Sequence, residues 1–330
     1  MTRRGATALL LLAGLAGATM LLRMLIGRLE TGSVVLEWPP ADLAGYRLRA
    51  MAAGAIVGAG LGVAGMLLQA LLRNPLASPF ILGVSSGAGL GVMVHMTIIA
   101  LTGGIAAGGV TLGHAVPATI GAAGALLALY LLAQRGGVLD PLTLVLVGVV
   151  ISTLCGAGIM FCQHLVPTGV HGSFTRWLMG TIPEAATTPA LIGSGVVVIV
   201  GVTLSVTLGR AMDVAMLGDD EAGSIGLAIA PLRLTLFCLA GLLTAITVAL
   251  AGPVGFVGLI APHAGRLVVG PRHRGLALAS ACIGILLVVG ADVARQAIDL
   301  GAGRMPVGVF TALIGGPTFI WLLLSGRARA

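Results

Sequence analysis

The run Gly60-Leu61-Gly62-Val63-Ala64-Gly65 has the spacing of a dinucleotide-binding turn, in which glycines let the backbone approach a pyrophosphate. That chemistry needs a strand before the glycines and a helix after them. Here the flanks are apolar without a break, so the run predicts close helix packing, as does the spacing of Gly54, Gly58 and Gly62. A P-loop is excluded because the chain contains no Lys to reach a terminal phosphate. His95, His114, His164 and His171 form no i, i+4 pair and have no carboxylate cluster beside them, which predicts no metal site. No His-Glu-x-x-His run occurs, and an enzymatic reading has no residues to support it.

Other residues interrupt apolar runs and so mark where a pathway or a partner is met. Arg73-Asn74-Pro75-Leu76-Ala77-Ser78-Pro79 ends one helix and starts the next, and a tight turn is its minimal reading. Ser85 and Ser86 then enter a span, where they either line a polar path or bond back to their own backbone. Pro253, Gly255, Pro262 and His263 break a later apolar stretch; broken helices are tolerated in lipid only where they are packed in protein or line a cavity. Arg266 and Asp292 fall near span ends, where an ion pair and snorkelling to water are both open. Asp219, Asp220 and Glu221 begin a short stretch whose acidic start suits a helix N-terminus. Residues 213–229 are therefore expected to form two short helices presenting a knob to a partner, or else a solvated acidic loop.

The elements that must carry these residues follow from composition. With 58% hydrophobic and 9% charged residues, the chain is too apolar for an ordinary soluble domain. Its 52 glycines suit helices packed through small faces. A bilayer core roughly 30 Å thick needs about 20 apolar residues per helix. Dividing the chain at its polar breaks gives ten expected spans: 7–26, 50–72, 80–101, 114–134, 141–162, 188–209, 233–251, 254–270, 276–295 and 306–325. The fold class is thus all-α, one polytopic membrane domain over residues 1–330. The first apolar run is long for a signal peptide and lacks a small-residue cleavage site, so it is expected to remain as a helix. Cys155, Cys162, Cys238 and Cys282 lack the short paired spacing of zinc or redox sites and are expected to be small core residues.

The net charge of +7 comes from Arg alone among the strong bases. Arg3, Arg4, Arg73, Arg135, Arg210, Arg233, Arg266, Arg272, Arg274, Arg327 and Arg329 share one set of span ends. Arg28, Arg47, Arg49, Arg176, Arg295 and Arg304 share the other, with Arg23 close by. The richer face is expected to be cytoplasmic, with both termini on it, and membrane topology accounts for the charge better than nucleic acid does. Residues 27–49 and 163–187 then lie outside, with Trp38 and Trp177 in an interfacial belt.

Taken in order, these segments resemble the permease family of iron-siderophore, haem and cobalamin ABC importers, the type II importers. The anchors are residues 65–69, the 73–79 turn with 82–87, Arg176-Trp177-Leu178-Met179-Gly180, Leu217-Gly218-Asp219-Asp220-Glu221-Ala222 with Gly226, residues 251–263, and 306–312. The resemblance implies a ten-helix subunit that pairs with a second copy of itself, with two ABC ATPase subunits that use ATP and Mg, and with a periplasmic substrate-binding protein. This chain itself would bind no cofactor. The loop matching 213–229 would form the coupling helices against the ATPase. Arg47, Arg49 and Arg295 would grip acidic residues of the binding protein, Arg49 standing one residue before the usual second position, now Ala50. The cytoplasmic gate is expected around Asp140, Pro141, Leu142 and Thr143. The implied cargo is a ferric siderophore, with haem or cobalamin as the alternative, and the implied location is the bacterial inner membrane. The rival class is an ion-coupled secondary transporter, for which only Asp292 resembles a coupling carboxylate.

Overall fold

A computed structural model of the chain describes residues 3–28, 34–102, 113–298 and 305–324. Arg304 and the carboxyl-terminal Arg327 and Arg329 lie outside the described residues. The chain runs α1 (Arg3–Leu25), β1 (Ile26–Arg28), β2 (Val34–Leu36), α2 (Ala41–Leu71), a 3-10 turn (Pro79–Leu82), α3 (Val84–Leu101) and α4 (Ala115–Leu132). It continues through β3 (Gln134–Arg135), β4 (Val138–Leu139), α5 (Pro141–Leu165), α6 (Thr168–Leu178), α7 (Thr188–Ala215), α8 (Asp219–Ser224) and α9 (Ile229–Ala251), and ends with α10 (Val257–Val269), α11 (His273–Ala297) and α12 (Val307–Leu324).

Each of the ten expected spans coincides with one helix. Eight are long and apolar enough to cross a membrane; α10, at 13 residues, and the described apolar part of α12, Val307–Trp321, are shorter. The strands form two small antiparallel ribbons, β1 with β2 and β3 with β4, which an all-α reading did not include. Each caps the end of the bundle where a helix has just stopped. Two further helices fall in breaks between spans: α6, where no helix was expected, and α8, inside the 213–229 segment expected to be helical.

The centre of the bundle is α2, in which every residue from 57 to 71 is buried. A helix apolar on all sides has to be surrounded, and α7, α9, α10 and α11 surround this one. Lipid tails are as apolar as Leu, so burying side chains gives little drive for association; close backbone contact takes its place. A Cβ on Gly58 would collide with the Gly284 carbonyl of α11, one on Gly62 with Ser280, and one on Gly65 with Gly258 of α10. The contact is reciprocal, since a Cβ on Gly284 would strike Gly58. On the other side of the molecule Gly87 and Gly91 of α3 meet Gly121 of α4 in the same way.

The interruption between α9 and α10 is also packed in protein. Gly252 takes a positive φ of 72°, closing α9, and Phe256 takes φ 65° ahead of α10. Thr181 N donates to Ala251 O at 2.7 Å, so the last carbonyl of α9 meets the segment after α6, and Gly308 N donates to Gly180 O at 3.3 Å, tying the start of α12 to that same segment. Trp177 belongs to this packing. It is 7% exposed, stacks on Phe174 at 6.3 Å between ring centroids and meets His114 edge-on, so it is a core residue and not part of an interfacial belt. Trp38, 67% exposed, keeps a surface position.

Gly58→Ala should lower the thermal midpoint of the purified protein in detergent, by about 1–3 kcal/mol of stability for an overpacked contact. Gly124→Ala, at a site with open space beside it, should leave the midpoint unchanged.

Candidate functional site

The polar residues gather at the two ends of the bundle. Because α2 has 31 residues at 1.5 Å each, it is about 46 Å long and carries one group at each end.

At the end where α2 begins, Arg23 Nε pairs with Asp292 Oδ2 and Arg295 Nε with Asp292 Oδ1, while Glu184 Oε1 lies 3.6 Å from Arg23 and 3.5 Å from Arg295. Arg23, Asp292 and Arg295 are almost completely buried. Two guanidiniums and two carboxylates make a neutral cluster, the condition under which charges persist away from water. Asp292 is therefore held by two Arg, and the ion-pair reading is the one the structure takes. The same bonds remove Asp292 from the role of a coupling carboxylate.

The three Arg singled out for docking have different surroundings. Arg295 is enclosed in the cluster. Arg47 Nη1 donates to the carbonyls of Met24 at 3.0 Å and Leu25 at 3.1 Å, tying α1 and the β1–β2 ribbon to α2. Arg49, half-buried, has no hydrogen-bond or ion-pair partner among the described residues. Of the three, Arg49 is the cation left free for another molecule.

At the opposite end, Arg73 and Arg233 both bind Asp219, Arg233 Nη2 at 2.8 Å from Oδ2. Arg233 Nη1 also donates to Leu139 O at 3.3 Å. Asp219 is thus the fastening of the 213–229 segment, whereas Asp220 and Glu221 face solvent. Gly218, with φ 135°, turns the chain into α8, Ala222 is buried beneath it, and Gly226, with φ 88°, turns it out again. Only one short helix of six residues forms here, because α7 runs on to Ala215 and α9 already starts at Ile229. Leu217 is 62% exposed and Ile225 65%, an apolar pair flanking the two free carboxylates.

The 73–79 turn is built as its sequence suggests. Leu76 N donates to Asn74 Oδ1 at 2.9 Å, Pro75 follows half-buried, and Ser78 caps the 3-10 turn. Gln69, one turn earlier, closes the 65–69 anchor but had no role assigned from sequence. Its Nε2 donates to Ala77 O at 3.3 Å, and its Oε1 accepts from Arg266 Nη2 at 2.6 Å, joining α2, the turn and α10. The available signal was a lone amide in an otherwise apolar span. Arg266 therefore lies far from Asp292, at the other end of the bundle.

Asp140 caps α5, accepting from Thr143 N at 2.8 Å and Thr143 Oγ1 at 2.6 Å, with Pro141 in the first turn and Leu142 exposed. The Thr143 hydroxyl and amide hold the Asp140 carboxyl below the usual carboxylate range, and Arg135 and Arg233 add to this. Ser85 is buried with an Oγ that has no partner, so it does not bond back to its helix; Ser86 beside it is half-buried. Gly83-Val84-Ser85-Ser86-Gly87 has the spacing of a nucleophile elbow, but a 3-10 turn precedes it instead of a strand, and no base reaches the hydroxyl. Pro253 and Gly255 line a hollow of about 480 Å³ between the helix break, Leu178 and Gly308. Pro262 and His263 are buried in α10.

Residues 9–325 match the FecCD transport family. The cobalamin import system permease protein BtuC of Halobacterium salinarum is 38% identical over 291 residues, covering 86% of this chain and 73% of that protein. The hemin transport system permease protein HmuU of Yersinia pestis is 33% identical over 290 residues, covering 86% and 83%. The Fe(3+) dicitrate transport system permease protein FecD of Escherichia coli is 34% identical over 282 residues, covering 86% and 85%. A solved metal-chelate type ABC transporter in an inward-facing conformation superposes with a TM-score of 0.82 at 28% identity, covering 97% of this chain and 99% of that one.

Asp292→Ala leaves two buried guanidiniums short of their shared counter-charge and should cost about 3–5 kcal/mol in unfolding by detergent titration. Asp140→Ala should cost about 1 kcal/mol at neutral pH through loss of the cap. The Asp140 carboxyl is more acidic folded than unfolded, so its contribution is complete above the ordinary aspartate range and lost as pH falls through the folded-state value. The stability gap between wild type and Asp140→Ala, read by unfolding at neutral and acid pH, should accordingly close on acidification.

Proposed function

Since the chain belongs to the FecCD transport family, whose members are transport subunits and not enzymes, we propose that it is the membrane half of an ATP-driven importer for a ferric siderophore. In this reading it spans the bacterial inner membrane ten times with both termini in the cytoplasm. It pairs with a second copy of itself, receives its cargo from a periplasmic binding protein, and is driven by two ATPase subunits that bring the ATP and Mg. ATP-dependent closure of the ATPases shifts the permease between outward and inward openings as a rigid-body change of population.

The observation that carries this reading is the knob at residues 217–225. Exposed Leu217 and Ile225 stand beside the free carboxylates of Asp220 and Glu221 on a helix that Asp219 anchors through Arg73 and Arg233. An apolar pair on a rigidly held, solvent-facing turn suits insertion into a cleft of another protein. Push on that turn passes to α2 through Arg73 and to α9 through Arg233. At the other end, Arg49 is the cation available to a binding-protein carboxylate, and Arg47 and Arg295 shape the surface around it.

The cargo assignment is supported by the relative named for Fe(3+) dicitrate and by the likeness to a metal-chelate type transporter. Haem or cobalamin is the second reading, favoured by the relatives named for hemin and for cobalamin. Uptake into proteoliposomes holding the complete complex, with a ferric siderophore, haem and cobalamin offered in turn through the cognate binding protein, decides between them. Accumulation of cobalamin alone would remove the siderophore assignment.

Leu217→Asp with Ile225→Asp should abolish copurification with the cognate ATPase and ATP-dependent uptake while leaving the thermal midpoint in place. Retained copurification and uptake would contradict the coupling role of 213–229. Arg49→Glu should weaken binding of the loaded binding protein by about tenfold or more, as expected when an attractive charge contact becomes a repulsive one.

A further inference from the structure

A cavity of about 810 Å³ opens at the Asp219 end of the bundle, between the 73–79 turn, the end of α7 and the junction of α10 with α11. Three guanidinium side chains line it, those of Arg73, Arg266 and Arg272, against the single carboxylate of Asp213. That carboxylate is already committed, accepting from His273 N at 3.0 Å and lying 2.7 Å from His273 Nδ1. Arg73 is shared with Asp219. Arg266 gives Nη2 to the neutral Gln69 Oε1, and its Nη1 is buried with no acceptor at all. Arg272 has no anionic partner among the described residues and stands at the N-cap of the 25-residue α11, where the helix dipole adds positive potential.

A buried guanidinium N–H without an acceptor is costly, and two Arg without a carboxylate partner around one cavity set a demand for an anionic ligand whose oxygens accept from both. The geometry points to a phospholipid site: this cavity takes the phosphate headgroup of an anionic lipid, with the guanidiniums of Arg266 and Arg272 as its donors and Arg73 at the rim. Two features favour a lipid over a soluble anion. The cavity lies where the apolar helices α2, α7 and α10 end, and Leu76, Pro75, Met216 and Pro271 supply apolar walls for the glycerol and first methylenes. Basic pockets between membrane helices at the Arg-rich face are the sites where such headgroups lodge. The site adjoins the 213–229 segment, so its occupancy would stiffen the base of the knob.

The test uses the full chain, delipidated in detergent, titrated with cardiolipin or phosphatidylglycerol and, in parallel arms, with phosphatidylcholine and with inorganic phosphate. Native mass spectrometry reads the adduct and a thermal melt reads stabilisation. Anionic lipid should bind and raise the midpoint, and Arg272→Ala and Arg266→Gln should each weaken it about tenfold, the loss of one charge-assisted hydrogen bond. Arg135→Gln, an exposed Arg at the same end but away from the cavity, should bind as wild type does. Arg272 is on the surface, so that variant remains informative if Arg266→Gln fails to fold. Equal binding of phosphatidylcholine, binding indifferent to Arg272, or stabilisation by inorganic phosphate with none from lipid would each overturn the assignment. The assay contains no ATPase, so its outcome is independent of the importer reading.

Discussion

The contact between the backbones of α2 and α11 is the constraint from which the rest of the molecule follows. In a bilayer the helices gain little by hiding apolar side chains from lipid, so the force holding them comes from how closely their main chains approach. Gly58 against Gly284, Gly62 against Ser280 and Gly65 against Gly258 leave no room for a Cβ, and they fix α2 at the centre with α10 and α11 laid along it. A rod held this tightly moves as a unit.

Polar chemistry is confined to those ends. One is closed by the neutral cluster of Arg23, Arg295, Asp292 and Glu184, which joins α1 and α11 to the segment after α6. The other is closed by Asp219 between Arg73 and Arg233, and by Gln69 between the 73–79 turn and Arg266. Between them lies an apolar body whose backbone interruption at residues 252–256 is packed against Gly180, Thr181 and Gly308. This division suits a passage that rocks between two openings.

Much of this was legible in the sequence because it rests on local signals. Apolar runs located the eight helices of membrane-crossing length and the two shorter ones, the spacing of Gly54, Gly58 and Gly62 marked the packing face, and Pro253 with Gly255 marked the break. The grouping of Arg by span ends also separated the two faces that the structure places apart. What escaped were facts of tertiary pairing. Nothing near Asp292 in sequence points to Arg23, 269 residues away. Trp177 reads as interfacial from its neighbours and becomes core only because the 168–178 segment folds into a helix over Phe174 and His114. Arg47 and Arg295 read as free surface cations until their carbonyl and carboxylate partners are seen. The second short helix expected in 213–229 is absent because α7 and α9 each extend into the loop.

The central claim is that the 213–229 segment and the Arg49 surface face opposite compartments, with the motor on the side of the former. In a variant whose four native cysteines are replaced, a single Cys at Asp220 or at Trp38 can be challenged in intact spheroplasts with a thiol reagent that does not cross the membrane. The account expects Trp38→Cys to label at once and Asp220→Cys to label only after the membrane is opened. Labelling of Asp220→Cys in intact spheroplasts, with Trp38→Cys protected, would contradict it.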